Sequence, residues 1–273
     1  SADLGRIAYI DQLGDVYTIK PNGTDRRKLA SGELLQSVAF APRPTQTPRA
    51  SQDAYSWPVW APGGDRLACF RMILAEDGQT GELYIFDVAS SRVLNVHKEL
   101  GLQPIYAYWA PDGQHLAFLR NREQTLSLDL WPAVGWQPPK RITDGVPFYF
   151  DWRADAKVLL FHSGQSEMDR QAESAASAAS SVGLLNIESG TTKTVSQTPA
   201  AFGVPSWSFD NKWIAYGDAQ QATSPVSLMV APADGGEPQA FASVNASQRL
   251  ALAWSPTQSR IAVATTSFLD GSV

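Results

Sequence analysis

The sequence predicts an all-β fold, a β-propeller of four-stranded antiparallel blades, and three observations lead there. A phrase of the type YWAPDGQHLAF (108–118) occurs five times, and its turn-preceding tryptophans, Trp60, Trp109, Trp152, Trp207 and Trp254, stand 49, 43, 55 and 47 residues apart. That spacing is the length of one blade. The register inside the phrase never slips: seven positions on are Leu67, Leu116, Leu159, Ile214 and Ile261, the next holds Ala68, Ala117, Leu160, Ala215 and Ala262, and nine on are Cys69, Phe118, Phe161, Tyr216 and Val263. Finally, this run is apolar on both faces, as expected of a strand covered from both sides.

Each copy reads as four strands. The first ends at the tryptophan, and a turn such as Pro111-Asp112-Gly113-Gln114 reverses the chain. The second is the LAF run. The third is seen in DVYTIK, ELYIFDV and VSLMVA, and the fourth, shorter and more polar, in RRKLA, KRIT and TKTV, which suit an outer edge. In the copies at Trp152 and Trp207, Ala154 and Phe209 replace the turn proline, which predicts a different turn on the same blade. A sixth copy starts at Ile7-Ala8-Tyr9 without a tryptophan strand. The repeats span approximately 5–30, 56–98, 105–143, 148–196, 203–242 and 250–273 of one propeller domain over 1–273, the first and last incomplete. Joining those two would leave a surplus strand, so the expectation is a chain truncated at its carboxyl end from a ring of about six to eight blades.

Charged residues make up 18% and apolar ones 44%, which excludes a disordered or fibrous chain. A formal charge of −5 with scattered Lys and Arg argues against nucleic acid as a partner, and the basic triplet Arg26-Arg27-Lys28 reads as a solvated strand edge. One cysteine, Cys69, excludes an intrachain disulfide and reads as a buried structural thiol. No run is long and apolar enough to span a bilayer, and no signal-peptide pattern opens the chain. The start enters a strand at once, as in a fragment whose targeting segment has been removed.

The phrases WAPDGQHLAF and WSPTQSRIAV, together with ELYIFDV, resemble the WD-repeat-like propeller repeat of the TolB family, and DVYTIKPNGTDRRKLA is similar to that family's third and fourth strands. The resemblance covers almost the whole chain and rests on packing and turn residues. It implies a bacterial, periplasmic or extracytoplasmic propeller that binds a partner protein or peptide. The family's separate amino-terminal domain is not matched here.

In blades wound this way, loops after the second and fourth strands gather on one rim, where ligands meet a propeller. Eleven positions past the tryptophans stand Arg71, Arg120, Ser163, Asp218 and Thr265, with Asp11 equivalent in the first copy. With His162, the residues Arg71, Arg120, Ser163 and Asp218 form the candidate binding rim. Two long insertions, 31–55 and 163–181, point to the same rim; the second reads as a surface loop. His97 falls on an outer strand and His115 after a solvated hairpin, and the three histidines lack metal-ligand spacing, so no metal or cofactor is expected. Gly164-Gln165-Ser166-Glu167-Met168 lacks the second glycine and the strand–turn–helix context of a nucleophile elbow.

Three functional readings follow. The first is a non-catalytic propeller that binds a protein or peptide at the rim. The second is a substrate-gating propeller of a prolyl-oligopeptidase-type peptidase whose catalytic domain lies outside this chain. The third is a metal-dependent hydrolase or lyase with its site in the channel.

Overall fold

The structure, a computed structural model, describes residues 5–32, 52–75, 78–122, 125–145, 148–164, 181–199, 203–219, 225–244 and 249–266. Among them every regular element is a strand. The chain falls into two compact units, Ser1–Thr143 and Asp144–Val273.

The first unit holds three antiparallel sheets in sequence order. They are β1 to β3 (Ile7–Ile10, Val16–Ile19, Arg27–Ala30), β4 to β7 (Gln52–Trp60, Arg66–Ala75, Gly78–Asp87, Arg92–Leu100) and β8 to β11 (Gln103–Trp109, His115–Arg122, Thr125–Pro132, Lys140–Gly145). The period-two geometry of a strand explains why its second strands are apolar throughout. On β5, Leu67 and Cys69 pack with Val16 and Leu29 of the first sheet, whereas Ala68 and Phe70 pack with Trp109, Leu116 and Phe118 of the third. One strand thus serves two cores. Burial raises the pKa of the Cys69 thiol.

The second unit repeats the plan with β12 to β15 (Phe148–Trp152, Val158–Ser163, Ser181–Asn186, Thr192–Ser196). There follow β16 (Gly203–Val204) and a sheet of β17 to β20 (Ser206–Trp207, Trp213–Asp218, Val226–Pro232, Gln239–Val244). The last sheet orders β16, β21 (Arg249–Trp254) and β22 (Ile261–Thr266), β16 running parallel to β21. Ile214 and Tyr216 of β18 face Val158 and Leu160, and Ala215 faces Leu250 and Leu252.

Three of the five repeated tryptophans share an equivalent hydrogen bond. Trp109 Nε1 donates to Val59 O at 3.0 Å, Trp207 Nε1 to Asp151 O at 3.2 Å and Trp254 Nε1 to Ser206 O at 3.2 Å. Each acceptor is the residue just before the preceding tryptophan. The indole therefore fills the space between two sheets and also ties their first strands together.

All five tryptophan turns share a bond from the residue after the tryptophan to the carbonyl five residues on: Ala61 to Arg66, Ala110 to His115, Arg153 to Val158, Ser208 to Trp213 and Ser255 to Arg260, at 2.8–2.9 Å. The expectation of different turns at Ala154 and Phe209 is therefore corrected. Four of the five turns take a positive φ four residues past the tryptophan, at Gly64 (73°), Gly113 (68°), Ala156 (59°) and Asn211 (58°), while the proline position only needs a φ that other residues also adopt. Ala156 is the strained member. Ala156→Gly is expected to raise stability by up to about 1 kcal/mol, the relief of a left-handed alanine less the backbone entropy of glycine. An unchanged or lower urea midpoint would contradict this reading of the turn.

Two further expectations are corrected. β4 begins at Gln52, so the end of the 31–55 segment is strand, because those residues continue the ladder against β5. His115 is half-buried and not solvated, since it opens β9 opposite Pro132. Residues 33–51 and 165–180, the bulk of both insertions, lie outside the described residues.

Candidate functional site

Arg71 lies on β5 opposite Tyr55 of β4 and Glu82 of β6. Its Nε donates to Asp53 Oδ1 at 2.6 Å and Nη2 pairs with Asp53 Oδ2, while Nη1 reaches Glu82 Oε2 and Tyr84 Oη, each at 3.3 Å. Tyr84 Oη donates to Glu82 Oε2 at 2.8 Å, and Lys98 Nζ lies 2.7 Å from Glu82 Oε1. Two buried carboxylates thus meet two cations. The hydrogen-bonded Asp53 holds the guanidinium charged, and its pKa is raised. Burial pushes the Glu82 carboxyl up, but hydrogen bonds from Lys98 and Tyr84 outweigh it, and its pKa falls below 4.5. A lowered carboxyl pKa stabilises the fold fully above the unfolded value and loses that stabilisation as pH falls through the folded one. Acid titration from about pH 5 downwards is therefore expected to destabilise the wild type more steeply than Glu82→Gln; parallel curves would contradict it.

Arg120, on β9, is buried and joins two sheets: Nη1 donates to Glu99 Oε2 of β7 at 2.6 Å, and Nε lies 2.9 Å from Asp129 Oδ2 of β10. Ser127 Oγ donates to Asp129 Oδ1 at 2.9 Å. Burial nevertheless raises the Asp129 pKa, against the pull of Ser127 and Arg120. Glu99 is one rung of a polar ladder on β7. Asn95 Nδ2 donates to Gly135 O at 2.8 Å, the His97 ring centroid lies 6.3 Å from that of Trp131, and His97 Nε2 is 3.4 Å from Glu99 Oε2. Alternate residues of a fourth strand thereby dock on the next sheet.

In the second unit, His162 and Ser163 are both buried at the end of β13. His162 stands opposite Tyr149 and Val182, and Ser163 Oγ lies 3.5 Å from Ser181 Oγ. Asp218, closing β18, accepts at 3.3 Å from Ser196 Oγ, the last residue of β15, and from Thr198 Oγ1 just beyond it. Thr265 is exposed, and Asp11 Oδ1 accepts Leu13 N and Asp15 N in its own turn. The position eleven past the tryptophan is thus largely a place for internal fastenings. Arg71, Asp218 and Ser163 are committed to neighbouring strands.

Arg120 also lines a cavity of about 890 Å³, walled by Glu99, Gln103, Arg120, Arg122, Thr125 and Arg141, at the exit of β9 and the β7–β8 link. This is where loops after second and fourth strands meet. Among the described residues three guanidiniums face one carboxylate on the wall, and Arg122 Nε is buried without a hydrogen-bond partner. Anions of carboxylate type fit such a wall, because guanidinium forks bind them through paired hydrogen bonds. Among the described residues no three His, Cys, Asp or Glu side chains are gathered to hold a metal.

Sequence reasoning did not single out Arg122, Arg141 or Glu99. Arg122 lies two residues past Arg120, hence on the same strand face, a signal a period-two reading could have used. Counting back three residues from the tryptophans gives a second missed pair, Trp57 and Tyr106, whose ring centroids are 5.9 Å apart. Trp57 sits at φ 53° in a β-bulge before Pro58, held there by its Nε1 donating to Ala107 O at 3.1 Å.

The fold is similar to that of several solved structures. A dipeptidyl aminopeptidase IV-type protein from Bacteroides ovatus superposes with a TM-score of 0.56 at 12% identity over 96% of this chain and 43% of that one. An oligogalacturonate lyase in complex with manganese superposes at 0.55 with 13% identity over 90% and 64%. The fold is a β-propeller. TolB from Acinetobacter baumannii is also similar, at 14% identity over 96% of this chain and 61% of that one, with a TM-score of 0.48. The propeller chain thus spans about three fifths of the length of that TolB. No protein-family model and no curated protein matches it.

Proposed function

We propose that this propeller is a non-catalytic binding module that takes an acidic segment of a partner protein or peptide into the arginine-lined rim pocket. The observation that carries the reading is the wall of Arg120, Arg122 and Arg141 against Glu99, with the buried Arg122 Nε unpaired among the described residues. Rigid sheets preorganise the guanidiniums, so little ordering entropy opposes binding. The resemblance of the repeat to the TolB family supports a protein or peptide ligand and an extracytoplasmic location. Among the described residues no helix is long and apolar enough to cross a membrane.

The test is titration of the whole chain with a capped, fluorescently labelled octapeptide rich in Asp and Glu, beside its Asn/Gln counterpart. The acidic peptide is expected to bind with an affinity that falls with salt, and Arg122→Ala and Arg141→Ala each to weaken it about tenfold, equivalent to about 1.4 kcal/mol. Equal binding of the neutral peptide, or no response to either substitution, would refute the assignment. Arg71→Ala, which removes a residue outside the pocket wall, should leave the affinity of the folded protein unchanged.

A further inference from the structure

The carboxylates that fasten the rim arginines are of two kinds. Asp53 and Glu82 on Arg71, and Asp129 on Arg120, have side chains only 1–5% exposed. Glu99 is different. Its side chain is 42% exposed, it stands on the wall of the arginine pocket, and it meets Arg120 through Oε2, 2.6 Å from Nη1. Arg120 does not depend on this contact, because Asp129 Oδ2 lies 2.9 Å from its Nε on the buried side. The two carboxylates also oppose each other: burial raises the Asp129 pKa first, and the charge of Glu99 adds to that rise.

Glu99 is also an acidic side chain that the pocket already holds. Among the described residues it is the one carboxylate on that wall, and it takes the Nη1 end of a guanidinium that lines the cavity. We infer, granting the acidic ligand proposed for this pocket, that Glu99 is a built-in competitor: in the free protein it fills the place of one ligand carboxylate at Arg120 Nη1, and an acidic side chain of the partner displaces it. Exchange of one carboxylate for another keeps Arg120 compensated and leaves its buried contact with Asp129 in place, so no charge is stranded. The displaced Glu99 turns to solvent, which it already reaches near the end of β7, or to His97 Nε2, 3.4 Å from the same oxygen. A competitor that fills its place about nine-tenths of the time lowers the apparent affinity about tenfold. It also sharpens specificity, since a neutral segment that pushed Glu99 aside would leave Arg120 less compensated than before.

The experiment titrates the whole chain with the labelled acidic octapeptide and its Asn/Gln counterpart, comparing wild type, Glu99→Ala and Glu99→Asp. Glu99→Ala is expected to bind the acidic peptide about tenfold more tightly, and Glu99→Asp, which keeps the charge on a side chain one methylene shorter, at least about threefold more tightly. The neutral peptide should gain from neither substitution. Unchanged or weaker binding by Glu99→Ala, with the wild type still binding the acidic peptide, would overturn the inference and leave the pocket assignment standing. So would a gain for Glu99→Ala with none for Glu99→Asp, because charge at a distance and not the contact would then matter, or an equal gain for the neutral peptide, the mark of a merely widened cavity. Failure of all three proteins to bind the acidic peptide would remove the pocket assignment and the inference together.

Discussion

Trp109→Ala is expected to destabilise the first unit by about 3–5 kcal/mol, the range for removing a buried aromatic from a core that cannot collapse onto the gap. The indole is 6% exposed and lies in the core shared by the second and third sheets. Trp109→Phe separates its two roles. It keeps much of the apolar contact but leaves the Val59 carbonyl without its donor, for which about 1–3 kcal/mol is expected. Trp136→Ala is the control: at 80% exposure it should change stability by no more than about 0.5 kcal/mol. Urea midpoints of the three variants measure this, and a loss for Trp109→Ala no larger than that for Trp136→Ala would remove the tryptophan from the account of stability.

Arg120→Met is expected to cost a similar amount, about 3–5 kcal/mol, for a different reason. It strands Asp129, which is 1% exposed and whose burial already pushes its pKa up. The double variant R120M/D129L should recover most of that loss, since neither buried charge then remains, whereas additive losses would show that the pair is not coupled. Glu99 keeps access to solvent and tolerates the loss of its partner. Arg120 is therefore a poor probe of binding, and Arg122 and Arg141 on the same wall are better ones.

The strand order, the four-strand unit and the double-sided packing of residues such as Ala68 and Phe118 were legible because packing and turn residues recur at fixed offsets. The turn geometry at Ala154 and Phe209 was not. Proline is conspicuous in a sequence, but the constraint lies at the position of Ala156 and Asn211, where different residues tolerate the same left-handed φ. The roles of Arg71 and Arg120 were hidden for another reason. Their counterions Asp53, Glu82, Glu99 and Asp129 come from other strands, and only the ladder register brings them within reach. The indole-to-carbonyl bonds were equally silent, because a main-chain acceptor leaves no residue signature.

The central claim is that the recurring indoles of Trp109, Trp207 and Trp254 are locked between sheets by their hydrogen bonds to the preceding repeat. Solvent exchange of the tryptophan side-chain N–H groups, followed residue by residue by NMR, tests it most directly. Trp109, Trp207 and Trp254 are predicted to exchange as slowly as the core amides of their own sheets, while Trp136 exchanges freely. Rapid exchange at Trp109, Trp207 and Trp254 in the folded protein would contradict it.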